Sequence, residues 1–82
     1  MARLYPVFDM AEAMGTHELD LDVATVGELV SEMERRYGET WRNFAGKVTI
    51  LVGGVSINAL QGMATPLDAD DDVWLVLPAA GG

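Results

Sequence analysis

This chain of 82 residues has no cysteine, which removes disulfides, thiolate metal sites and a cysteine nucleophile in one step, and it has one histidine and one lysine. The residues that stand out lie at its end, where Ala79, Ala80, Gly81 and Gly82 follow Pro78. Glycine carries no side chain, so a Gly81-Gly82 end is narrow and conformationally free. It can enter a tunnel that would exclude most other residues. The Gly82 carboxylate would then sit beside a carbon with no steric cover. A carboxylate is a poor electrophile, but transfer to ATP makes an acyl-adenylate, whose leaving group permits nucleophilic attack. Gly82, with Gly81, is therefore the candidate reactive site, and Pro78, Ala79 and Ala80 are the slim segment leading to it. Small terminal residues also occur without a function, so the weight falls on what precedes them.

Other chemical signals are weaker. His17 is a lone histidine near a turn. Asp68, Asp70, Asp71 and Asp72 lack the spacing of a calcium loop with its downstream glutamate; they read as a solvated turn or as a surface for basic residues of a partner. Gly53-Gly54 is followed by neither the lysine nor the helix of a phosphate loop. Met10, Met14 and Met33 read as core filler.

The net charge is −8, from 13 acidic and 5 basic residues. Nucleic acid is excluded as the expected partner, because binding it needs a basic footprint. No apolar run approaches the roughly 20 residues that span a bilayer, and Met1–Phe8 lacks the pattern of a signal peptide. The expectation is a cytoplasmic protein with no membrane contact.

Periodicity supplies the elements. Arg3–Phe8 reads as a strand, with Pro6 arguing for an edge position or an irregularity. Residues 10–14 read as a helical turn closed by Gly15. Glu18–Val23 alternates, with Leu19, Leu21 and Val23 on one face. Thr25 and Glu28 form a capping-box pattern, and Val26, Leu29, Val30, Met33 and Tyr37 make one helical stripe ending at Gly38. Glu39–Gly46 reads as a loop holding Trp41 and Phe44, with room for a short turn of helix. Lys47–Val52 is a strand, Gly53-Gly54 a tight hairpin turn, and Val55–Leu60 a short return. Val73–Leu77 is the last strand, ended by Pro78. The fold class is α+β: a mixed sheet packed on one main helix, in a β-grasp, or ubiquitin-like, arrangement. The expected division is a β-grasp domain over 1–78 and a flexible tail over 79–82.

In this reading Val48, Ile50, Val52, Val73, Leu75 and Leu77 face the helix. Leu51, Trp74 and Val76 then point outward as an apolar patch of the kind that marks a protein interface, unless the 39–46 segment folds over and buries Trp74.

The Gly15-closed first segment, the capped helix, VTILVGGVSI, Leu67, DADDDVWLVLP and the terminal AAGG together resemble the MoaD/ThiS family of sulfur carriers. The length and the 39–46 segment look more like the small subunit of molybdopterin synthase than the shorter thiamine-pathway carrier. Two positions depart from the molybdopterin type: Leu77-Pro78 replaces a double proline, and Val76 stands where an aromatic is common. The resemblance implies a carrier that is not itself an enzyme and binds no cofactor. A ubiquitin-activating-like enzyme would adenylate Gly82 with ATP and Mg²⁺, and a sulfur donor protein would supply the sulfur. Gly82 would then carry the sulfur covalently as a thiocarboxylate and deliver it to a downstream synthase. By closest resemblance that enzyme is the large subunit of molybdopterin synthase. Thiamine, cysteine or a specialised sulfur metabolite stay open as acceptors. The resemblance also implies that Leu51, Trp74, Val76, Pro78, Ala79 and Ala80 meet the partners. A protein modifier joined through Gly82 and a β-grasp binding module with an inert tail are the alternatives. Lys47, the only lysine, argues against chains of self-conjugates.

Overall fold

A computed structural model describes residues 2–6 and 9–77. Pro78, Ala79, Ala80, Gly81 and Gly82, and with them the boundary between domain and tail, lie outside the described residues. The elements run β1 (Ala2–Pro6), α1 (Asp9–Met14), β2 (Leu19–Leu21), α2 (Val26–Tyr37), α3 (Glu39–Ala45), β3 (Thr49–Val52), β4 (Val55–Ser56) and β5 (Asp72–Val76), with two 3₁₀ turns between β4 and β5. The sheet order is β2-β1-β5-β3-β4. β1 and β5 are parallel at its centre, and the remaining pairs are antiparallel. This is the expected β-grasp.

The helix forms where its ends are satisfied. The Thr25 hydroxyl accepts from the Glu28 backbone N–H at 3.2 Å. The Glu28 carboxylate reaches back to the Ala24 N–H at 3.1 Å, one residue earlier than the reciprocal bond of a standard capping box. Thr25 instead bridges to Pro66, and the neighbouring backbone is held by Val26 N–H to Thr65 C=O and Leu67 N–H to Ala24 C=O. At the other end Gly38, at φ 52°, takes the left-handed turn and donates to the Glu34 carbonyl at 2.7 Å. Between the caps, Val26, Leu29 and Met33 are buried against Leu4, Leu21, Val73 and Leu75. Each such side chain contributes about 1.5–3 kcal/mol relative to exposure. Met10 and Met14 join this core from α1.

Two expectations need correction. Residues 39–45 are not a loop: they form α3, starting directly from Gly38. Its Trp41 is 2% exposed and belongs to the main core. An isolated seven-residue helix is too short to be stable, and burial of Trp41 is what holds this one. β1 is not at an edge either: it lies between β2 and β5. Pro6 is accommodated because β2 pairs only with Ala2, Arg3 and Leu4, so the strand's last residue faces β5 alone. The missing proline donor thus falls where β2 has already ended.

Candidate functional site

The helices cover one face of the sheet. On the other face, register places Tyr5 opposite Trp74, Trp74 opposite Leu51, and Leu51 opposite Ser56. These four form one row across four strands. Trp74 and Tyr5 stack, with ring centroids 4.5 Å apart and planes 19° from parallel. Trp74 remains 41% exposed, so the α3 segment does not cover it. Val76 is half-buried and pairs with Thr49 on the same face. The structure thus brings Leu51, Trp74 and Val76 together. Pro78, Ala79, Ala80, Gly81 and Gly82 are outside the described residues; the described chain reaches Leu77, which follows Val76 at the Thr49 end of β5.

Tyr5 was not among the residues singled out from sequence. The signal was present: in RLYPVF, a period of two puts Tyr5 opposite in direction to Leu4 and so on the outer face. What sequence did not supply was the parallel pairing that sets Tyr5 beside Trp74.

The adjacent row is charged. Asp20, Arg3 and Asp72 lie side by side on β2, β1 and β5. Arg3 Nε contacts Asp20 at 3.1 Å and Glu18 at 3.0 Å. The hydrogen bond to Asp20, with the charge of Glu18 added, raises the guanidinium pKa further above its ordinary value. Beyond this row the Asp68–Asp72 turn closes on itself, Asp71 accepting from the Asp68 N–H at 2.7 Å. Together Arg3, Asp20, Asp70, Asp71 and Asp72 line an open hollow of about 340 Å³. Among the described residues no group of three or more carboxylates and histidines is arranged to hold a metal ion.

A second hollow of about 250 Å³ lies between the helices and β3, walled by Trp41, Val48, Ile50, Ile57 and Met63. No titratable group lines it, so it offers binding volume without chemistry. His17 is exposed at the chain's bend before β2. Gly53 and Gly54 occupy the β3–β4 turn at φ 59° and 86°, which is the hairpin role read from sequence. No helix among the described residues is long and apolar enough to cross a membrane.

Comparison with known proteins agrees with this fold. The ThiS family model matches residues 7–82. The fold is similar to the solution structure of small archaeal modifier protein 1 from Methanosarcina acetivorans, with TM-score 0.84, 23% identity, and coverage of 99% of this chain and 95% of that one. It is similar to the Amycolatopsis orientalis BexX/CysO complex structure, with TM-score 0.84, 15% identity and full coverage of both chains. A molybdopterin converting factor subunit 1 from Pyrococcus furiosus gives TM-score 0.71 and 19% identity over 95% of this chain and 97% of that one. No curated protein matches the sequence significantly.

Proposed function

Because the chain belongs to the ThiS family, among the ubiquitin-like MoaD/ThiS sulfur carriers, we propose that it carries sulfur on the carboxylate of Gly82. A Gly82 oxygen attacks the α-phosphorus of ATP in a partner enzyme, with Mg²⁺ neutralising the phosphates, and pyrophosphate leaves. Hydrosulfide, or the terminal sulfur of a persulfide on a donor protein, then attacks the acyl carbon and expels AMP. With hydrosulfide the product is the thiocarboxylate directly; with the persulfide a second thiol cleaves the acyl disulfide, forming a disulfide with the donor sulfur and leaving the thiocarboxylate. The carrier contributes no catalytic side chain. Its contribution is a slim end and a docking face that aims it. The observation that carries this reading is the family match, which runs through Gly81 and Gly82. The open row of Tyr5, Trp74 and Leu51 supports it, because an uncovered aromatic face on a domain this small suits a partner interface.

For the acceptor we place the molybdopterin precursor first, with a large synthase subunit supplying the catalytic groups. The length of the chain and its 39–45 segment favour that type. Thiamine, cysteine and specialised sulfur metabolites are the competing acceptors. A second reading, conjugation of Gly82 to target lysines, is favoured by the likeness to the archaeal modifier protein.

Intact-mass spectrometry tests the proposal after incubation with ATP, a sulfide source and the adenylating enzyme of the same organism. Replacement of one oxygen by sulfur at Gly82 supports the carrier. Isopeptide-linked adducts support the modifier. An unchanged mass, with an enzyme competent on another carrier, refutes both. Deleting Gly82 abolishes the modification and leaves the unfolding midpoint unchanged.

A further inference from the structure

The exposed sheet face is electrostatically one-sided. At the start of β5 five carboxylates, Glu18, Asp20, Asp70, Asp71 and Asp72, gather around Arg3. Arg3 is already engaged by Asp20 and Glu18, and among the described residues no cation forms an ion pair with Asp70 or Asp72. At the other end of the strand, Val76 pairs with Thr49 and Leu77 follows, with the exposed Lys47 two residues before Thr49. The other three cations are on the helices: Arg35 and Arg36 at the end of α2, and Arg42 on α3. The charge therefore does not spread evenly over the molecule. It concentrates at one end of the face that holds Tyr5, Trp74 and Leu51, and it fades toward the end from which the chain leaves.

We propose that the adenylating partner meets this face with a cationic patch on the acidic corner, an apolar seat on Trp74, and its entry for the chain end beyond Val76. The inference rests on the carrier reading and adds the partner's charge and its spacing. β5 itself is the ruler. From Asp72 to Val76 is four strand steps, or about 13 Å at the rise of a β-strand. The partner's cations thus lie roughly that far from the mouth of its active site. The arrangement fixes orientation as well as affinity: a carrier turned end for end would set the acidic corner over the entry and remove it from the cations. Like charge or an empty surface at that point gives no such discrimination, since complementary charge sets register and on-rate more than affinity.

The test uses the full-length chain and the adenylating enzyme of the same organism. Asp70→Asn with Asp72→Asn removes two charges from the corner while leaving the Asp71 turn bond intact. Glu12→Gln with Glu39→Gln removes the same net charge from exposed positions on α1 and α3. At low ionic strength the corner variant has an association rate about tenfold below that of the unsubstituted protein, within the range of electrostatic steering. Near 1 M salt, where the Debye length falls to about 3 Å, that difference disappears. The helix-side variant behaves as the unsubstituted protein at both salt levels, in association rate and in kcat for adenylation. If the two variants lose rate equally, or neither loses any, the oriented patch is overturned; the carrier reading then stands provided that deleting Gly82 still abolishes adenylation. If the unsubstituted protein is not adenylated by an enzyme competent on another carrier, both fall.

Discussion

Trp74→Ala separates docking from folding. In the free protein the ring is 41% exposed. For a side chain that buries up to about 250 Å² when fully covered, the uncovered part is on the order of 100 Å². At about 25 cal/mol per Å², covering it in a complex contributes about 2.5 kcal/mol. That is roughly a 60-fold loss in Kd on truncation, in the range of an aromatic interface anchor. Folding loses a separate quantity: the part already covered, on the order of 150 Å², contributes up to about 3.7 kcal/mol by the same measure, and the stack on Tyr5 about 0.5–1.5 kcal/mol beyond its area, while the core residues on the other face of β5, Val73 and Leu75, are untouched. Calorimetric titration against the adenylating enzyme gives the first quantity, and urea unfolding gives the second. Tryptophan fluorescence adds a check, because Trp41 is buried and Trp74 is not: binding should shift the emission of the native protein to the blue, and the variant should show no shift. A folded variant that binds within about threefold of the native protein would refute the assignment of this face to docking.

Trp41→Ala should cost about 3–5 kcal/mol, as expected for a large core side chain, and melt α3; circular dichroism and the urea midpoint would register both. Thr25→Ala should lose about 1 kcal/mol by stranding the Glu28 N–H at the start of α2, read from the same midpoint, while Thr25→Ser should restore most of it. Glu32 accepts from Arg35 first and Arg36 second, which holds its carboxyl at about 2. A depressed folded-state pKa means that its contribution is present above the ordinary carboxylate range and is lost as pH falls through about 2. The stability difference between native protein and Glu32→Gln should therefore be constant near neutrality and vanish in strong acid, and it should shrink with salt because the group is at the surface.

Most of the architecture was legible because its signals are local. The stripe Val26, Leu29, Met33 and the Thr25 and Gly38 ends mark α2 without any tertiary information. The Gly53-Gly54 pair marks the hairpin, since two successive left-handed residues need glycine. The segment 39–45 was misread because its helix has no local advertisement: it starts from Gly38 with no side-chain cap, and what orders it is the burial of Trp41 in a core assembled from distant residues. Pro6 misled for a related reason. The rule that excludes proline from central strands holds for positions paired on both sides, and how far β2 extends along β1, which decides that, is not written in the sequence of β1. At the site, alternation along β5 correctly turned Trp74 and Val76 outward, whereas Tyr5 required knowing that β1 runs beside β5.

β5 carries two sets of residues at once, and this constrains how the site can be perturbed. Its inward residues, Val73 and Leu75, are fully buried and hold the sheet to α2. Its outward residues run from Asp72 through Trp74 to Val76, in the order acid, aromatic, aliphatic. Because successive side chains alternate faces, each outward position can be changed without touching the core, but any change that shifts register by one residue exchanges the two sets. The pairing of β5 on both sides, with β1 and β3, opposes such a slip. A central strand is therefore a stiff mount for the outward row proposed to dock. The same row on an edge strand such as β4, only two residues long, would have one neighbour to fix its angle.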